Sequence, residues 1–114
     1  MPQLSRSLLE RYVPMARDCL VTAARYHQTV PYADVIDSLR GAGRGYVGQV
    51  LDELNVREHQ AGRPLLSAIV VDRAGGQPGD GFFDLVKRLR GVAGDRQAIW
   101  EAERDVVFLY YSLK

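Results

Sequence analysis

The sequence is short of several residue types, and each shortage excludes a class of site or location. Its only cysteine is Cys19, so it forms no internal disulfide bond, and one cysteine with two histidines does not supply the four ligands of a structural zinc site. It has no run of about 18 apolar residues and no charged start before a short apolar core. We therefore expect neither a membrane span nor a signal peptide, and we predict a reduced, cytoplasmic setting with no metal ion and no cofactor.

The sequence also has little excess charge. Its 15 basic and 14 acidic residues give a formal net charge of +1, so no strong overall field attracts nucleic acid. Lysine occurs only at positions 87 and 114, and the other basic residues are arginine. Any binding of DNA must therefore depend on where individual charges are placed.

The most distinctive stretch covers residues 63–83. Apolar and small residues at positions 65–71, interrupted only by Ser67, lead into a loop with four glycines and Pro78. β-Branched residues favour extended backbone, and glycine and proline favour turns. The pattern predicts a buried strand followed by a tight loop.

Helical periodicity covers most of the remaining sequence. Ser7 and Glu10 have the spacing of a capping box, Pro14 predicts a kink or a break in the first helix, and Asp95 is the expected N-cap of the last. The predicted fold is mainly α with a small β wing (α+β), a winged helix-turn-helix flanked by terminal helices. It forms a single domain over 1–114, with a core at 30–90, an N-terminal helix at 5–27 and a C-terminal helix at 95–113.

Two short predicted helices inside the core, at about 31–39 and 46–59, are joined by a turn with three glycines and form the helix-turn-helix. The second of them is the one that would enter a major groove. Its carboxylates would repel a DNA backbone, whereas its amides suit adenine edges. We expect its exposed face to carry Gln49, Asp52, Glu53, Asn55, Arg57 and Glu58.

Three short motifs occur in an order that resembles a known family. They are Val-Pro-Tyr at 30–32, Gly-Tyr-Val-Gly at 45–48 and the stretch 65–76. This order resembles the winged-helix part of the alkylguanine-DNA alkyltransferases and the alkyltransferase-like proteins. The resemblance covers roughly residues 30–83 and implies a DNA-binding winged helix.

The sequence departs from that family at the reactive positions. Ser67 stands where the family has its acceptor cysteine, followed by Ala68 and Ile69 instead of histidine and arginine. The family's DNA-inserted arginine falls at Gly45, with Arg44 one residue away. A serine without a base is a poor nucleophile. His59 could serve as that base, but a small polar residue packed in a strand is the more expected role for Ser67. We therefore predict that the protein is not an enzyme.

Most of the sequence is also similar to a family of small bacterial and mobile-element proteins. That resemblance supports the domain boundaries and implies no activity. The function predicted from the residues is non-enzymatic binding of duplex DNA, in a regulatory, mobile-element or defence setting. The expected DNA-binding residues are Arg44, Tyr46, Gln49, Arg57, Arg73, Lys87, Arg88 and Arg90.

A rival hypothesis belongs to another class of protein. In it, the winged-helix frame is a protein-interaction module or accessory factor that does not bind DNA. The near-zero net charge and the aromatic last helix favour this hypothesis. A homodimer through the C-terminal helix is compatible with both hypotheses.

Overall fold

The computed structural model describes residues 4–40, 46–72 and 76–112. In these ranges the chain forms five α-helices, one 3-10 turn and two short strands. The elements in chain order are α1 (Arg6–Arg25), β1 (Val30–Pro31), α2 (Tyr32–Ser38), α3 (Val47–Gln60), the 3-10 turn (Leu66–Ile69), β2 (Val70–Val71), α4 (Asp80–Arg90) and α5 (Arg96–Tyr111). The mainly helical fold class is confirmed.

The first helix differs from the prediction at two points. Its N-cap is Ser5 and not Ser7, because the Ser5 hydroxyl accepts a hydrogen bond from the Leu8 N–H at 3.3 Å. The helix also continues through Pro14, so the predicted break is wrong and the kink stays a prediction. Pro14 lies on the exposed side, where the carbonyl that loses its donor can be hydrated.

The prediction of a buried strand at 65–71 is wrong for most of its length. Residues Leu66–Ile69 form a 3-10 turn, and only Val70–Val71 is extended. The turn persists because side chains of other helices satisfy its polar groups: Asn55 bonds Ser67, and the indole N–H of Trp100 donates to the Ala68 carbonyl at 2.9 Å.

The two strands pair in parallel, with Val30 opposite Val70 and Pro31 opposite Val71. A wing is an antiparallel hairpin, so this pair is not a wing. The following loop is closed by hydrogen bonds from the Asp72 N–H to the Gln77 carbonyl and from the Gly76 N–H to the Asp72 carbonyl, both 2.7 Å. The wing itself stays a prediction, because residues 73–75 lie outside the described ranges.

One hydrophobic core joins all of the helices. The first helix packs mainly against α3, and also against α2, α5 and the 3-10 turn. Leu65 and Leu66 are completely buried in this core, and full burial of such a side chain stabilises a fold by about 1.5–3 kcal/mol. The predicted N-cap at Asp95 is confirmed, since Asp95 caps α5; Gly91 ends α4 with φ of 67°.

A fully buried carboxylate lies inside this core. Glu58 on α3 has no exposed surface, and it pairs with Arg17 on α1 at 2.6 Å and with Arg63, which follows α3. Arg17 also donates to the Tyr111 hydroxyl of α5 at 3.3 Å. We call these residues the Glu58 cluster: Arg17, Glu58, Arg63 and Tyr111. Its charge-assisted hydrogen bonds connect α1, α3 with the segment that follows it, and α5.

We expect Glu58→Ala to lower the free energy of unfolding by about 2–4 kcal/mol, because it leaves two half-buried guanidinium groups without their shared partner. The control is Glu53→Ala on the same helix, which breaks only the partly exposed pair with Arg57 and should cost less than about 1 kcal/mol. Urea unfolding followed by circular dichroism measures both. Equal losses would show that the Glu58 cluster does not contribute more than a surface pair.

Candidate functional site

The outward surface of α3 is narrower than the sequence predicted. Asn55 and Glu58, which were expected on the exposed face, are buried at 1% and 0% exposure. Both lie in phase with the apolar stripe, four residues after Leu51 and Leu54, so the helical spacing already placed them inward. The exposed positions of this helix near its start are Gly48 and Asp52.

A small polar cavity opens beside this surface. It has a volume of about 140 Å³ and lies between the start of α2, the outward side of α3, the 3-10 turn and the start of α4. We call it the polar cavity. Its lining residues are Tyr32, Gly48, Leu51, Asp52, Asn55, Ser67, Gly81 and Phe82.

Two hydrogen bonds between Asn55 and Ser67 hold one wall of the polar cavity. The Asn55 side-chain amide donates to Ser67 Oγ at 2.5 Å, and the Ser67 N–H donates to Asn55 Oδ1 at 3.2 Å. Asn55 thus satisfies both the backbone and the hydroxyl of Ser67 and fixes the 3-10 turn against α3. This role explains why an amide occupies a buried position on α3.

The described residues provide no base for Ser67. Its recorded partners are the amide groups of Asn55, and His59 lines a different cavity at the other end of α3. The structure therefore does not bring together the Ser67 and His59 pair considered from the sequence. An unassisted serine hydroxyl is a weak nucleophile.

Burial and nearby charges shift the titration of two groups in the polar cavity. Burial raises the pKa of the Asp52 carboxyl, and the guanidinium of Arg88 on α4 offsets part of that rise. Burial also raises the pKa of the Tyr32 hydroxyl; a backbone hydrogen bond with Gly79 opposes this rise. Both groups sit in a less polar setting than an open surface provides.

The predicted DNA-binding residues of α4 differ in what they contact. Lys87 and Arg88 are exposed, and neither makes an ion pair or hydrogen bond within the described ranges. Arg88 lies near Asp52 of α3, so the basic side of α4 adjoins the outward side of α3. Arg90 instead approaches Glu103 of α5 at 3.5 Å, from Nε to Oε1.

The predicted DNA-binding residues at α3 make more contacts within the protein. Gln49 accepts a hydrogen bond from the Leu4 N–H at 2.7 Å, and Tyr46 is half-buried at the N-cap of α3. Arg57 pairs with Glu10 at 2.6 Å and with Glu53 at 2.8 Å. These contacts commit Arg57 to the protein itself. Arg44 and Arg73 lie outside the described residues.

Sequence reasoning did not identify the polar cavity, because it assembles from four separate elements. The available signal was a polar residue in phase with an apolar stripe: Asn55 on α3 and Ser67 among apolar neighbours. A pair of buried polar residues implies a mutual contact, since each needs a partner.

Comparison with known proteins adds no relative: no family model, no curated protein and no solved structure matches this chain. Across residues 4–40, 46–72 and 76–112, no group of three or more His, Cys, Asp or Glu side chains is placed to hold a metal ion. None of the helices in those ranges combines the length and hydropathy needed to cross a bilayer.

We expect Asn55→Ala to lower the free energy of unfolding by about 2–3 kcal/mol, because it leaves both the Ser67 N–H and its hydroxyl without a partner in a buried site. Ser67→Ala removes only the hydroxyl and keeps the backbone bond, so it should cost about 1 kcal/mol. Urea denaturation of both variants gives the comparison. If Ser67→Ala costs as much as Asn55→Ala, the backbone hydrogen bond to Asn55 has no separate role.

Proposed function

We propose that the protein is a non-enzymatic DNA-binding protein that contacts duplex DNA with the outward side of α3 and the basic side of α4. The observation that carries the proposal is the contact between α3 and α4, across which the charge of Arg88 acts on Asp52, so that the two helices share one face. Gly81, seven residues before Arg88 on the same stripe of α4, lines the polar cavity. The cavity thus opens onto that face.

The distribution of partners among the basic residues supports this face. Most arginines of the described ranges are held by carboxylates, as Arg57 is by Glu10 and Arg96 is by Asp80. Lys87 and Arg88 are instead exposed, so two neighbouring positive charges face solvent. Unpaired cations on one helix surface suit phosphate contacts, which supply most of the affinity for DNA.

The burial pattern also removes most of the electrostatic objection to DNA on α3. Three carboxylates of this helix would repel a phosphate backbone if all of them faced outward. Glu58 is buried between two arginines, and Glu53 pairs with Arg57. Of the three, only Asp52 remains at the proposed face, where the charge of Arg88 acts on it, and α4 adds the exposed Asp84 four residues before Arg88.

The proposed face combines two kinds of group. Lys87 and Arg88 contact phosphates and set the affinity, whereas the α3 start, with Tyr46 and Gln49, lies nearest to the bases. Asp52 and Tyr32, which line the polar cavity, add hydrogen-bonding groups to this surface. Arg44 and Arg73 belong to the proposal from the sequence alone.

The first test is the replacement of both α4 cations. Lys87→Ala with Arg88→Ala should weaken binding to a mixed-sequence duplex by roughly tenfold at low salt and reduce the salt slope by about 2, because two phosphate contacts are lost. Fluorescence anisotropy of a labelled duplex at several salt concentrations measures both quantities.

The matched control removes two exposed cations from α1, by Arg11→Ala with Arg25→Ala, which changes the net charge equally. It should leave the salt slope nearly unchanged. If both pairs reduce affinity alike, binding follows net charge and not this face. If the wild-type protein does not bind even at low salt, the DNA proposal itself is wrong.

Asp52 allows a second test with the opposite sign. Asp52→Asn should raise the duplex affinity about two- to fivefold at neutral pH, because it removes the α3 carboxylate at the face. In the wild-type protein, affinity should also rise on acidification, as Asp52 is protonated at a pKa above its ordinary value of 3.8. The variant should lack that part of the rise. Fluorescence anisotropy titrations of both proteins between pH 7 and pH 4.5 measure the difference in duplex affinity. An identical pH profile in both proteins would place Asp52 away from the DNA.

One observation favours the rival hypothesis of a protein-interaction module. Leu109 and Val106 on α5 are 80% and 46% exposed, and they lie three residues apart on one side of the helix. Exposed apolar side chains that adjoin each other are typical of interaction surfaces. If the anisotropy titration shows no binding, this side of α5 is the surface to examine for a protein partner.

A further inference from the structure

A second concave surface lies at the opposite end of α3 from Gly48. It is a groove of about 370 Å³ between the end of α3, the segment that follows it, the end of α4 and one side of α5. We call it the arginine groove. Its lining residues are His59, Gly62, Arg63, Pro64, Arg90, Val106 and Tyr110.

Two guanidinium groups face this groove, and each is positioned by a buried carboxylate behind it. Arg63 donates through Nε to Glu58, and Arg90 approaches Glu103 from its own Nε at 3.5 Å. Both side chains are about one-third exposed. Their terminal amino groups have no hydrogen-bond partner among the described residues, so they remain available as donors.

The carboxylates that hold these arginines do not line the groove. Glu58 is fully buried and is shared between Arg63 and Arg17, and Glu103 is 8% exposed. Three guanidinium groups therefore pair with two carboxylates, which leaves one positive charge in excess. α3 and α4 both end beside the groove, and their C-termini together offset about one charge, so an anion is attracted by the N–H donors of Arg63 and Arg90 and not by a net positive charge.

Apart from His59, the remaining side chains of the lining are apolar or aromatic. Pro64 and Val106 contribute aliphatic surface, and Tyr110 contributes an aromatic ring. The volume falls in the range of about 300–1,000 Å³ that is usual for small-molecule sites. A ligand that fits would carry an anionic group toward Arg63 and Arg90 and a compact apolar body toward Val106 and Tyr110.

We infer that the arginine groove binds a small organic anion, in which a phosphate or carboxylate is attached to an apolar group. Two arginine forks recognise such oxyanions through paired hydrogen bonds. This function is separate from the proposed DNA contact, because the groove lies at the other end of α3 and Arg90 is turned toward Glu103. The sequence-based assignment of Arg90 to DNA phosphates is the competing explanation.

The probes for the test are phenyl phosphate, benzoate and the uncharged benzyl alcohol, titrated into the full-length chain and followed by amide chemical shifts. Phenyl phosphate or benzoate should give saturable shifts that centre on Gly62, Val106 and Tyr110. Benzyl alcohol should give no saturation in the same concentration range. Equal binding of benzyl alcohol, no saturable shift with either anion, or shifts centred elsewhere would overturn the inference.

Arg90→Gln should weaken anion binding at least tenfold, and Arg25→Gln, at an exposed position of α1 that does not line the groove, should leave it unchanged. Arg90→Lys keeps the positive charge but lacks the two parallel N–H donors of a guanidinium, so it should show an intermediate loss of anion affinity. This variant replaces Arg90→Gln in the test if Arg90→Gln does not fold. Arg90→Gln should leave duplex affinity within twofold of wild type. An equal loss of duplex and anion binding would show that the groove is part of the DNA surface, and an unchanged anion affinity would contradict the inference.

Discussion

The rest of the structure depends on a carboxylate that is completely removed from water. Arg17 donates to one carboxylate oxygen of Glu58 and Arg63 to the other, and the position of Glu58 on α3 is therefore fixed relative to α1 and to the segment before the 3-10 turn. Burying a charge is costly, and the cost is offset only when the partners are well placed. Such a cluster stabilises little beyond an apolar alternative, but it strongly favours one arrangement of the helices over others.

That arrangement determines which charges remain available. Because Glu58 and Glu53 are neutralised within the protein, α3 presents a less acidic surface than its sequence indicates. Ion pairs inside the protein likewise commit Arg17 to Glu58 and Arg57 to Glu10 and Glu53, so fewer cations are left for an external partner than the sequence indicates. A net charge close to zero is therefore compatible with a local basic face. Glu58 and Glu53 are taken up in ion pairs within the protein, while some cations stay exposed on the surface.

The sequence predicts the helices well, because their apolar periodicity and their caps are local signals. Asp95 and Gly91 mark helix ends through contacts with near neighbours in the chain. The 3-10 turn was not predictable in this way. Its residues favour a strand, and what overrides that preference is a set of distant partners, Asn55 on α3 and Trp100 on α5. The polar cavity was not predicted because it too depends on contacts between distant residues: its walls come from parts of the chain about 50 residues apart.

The indole of Trp100 links the last helix to the wall of the polar cavity. It donates to the carbonyl of Ala68, the residue next to Ser67, and Arg104 lies over its ring at 4.8 Å. It is the only tryptophan in the sequence. The tryptophan emission of the native protein therefore comes from one indole next to this wall, and a change in that emission reports any event that moves the 3-10 turn.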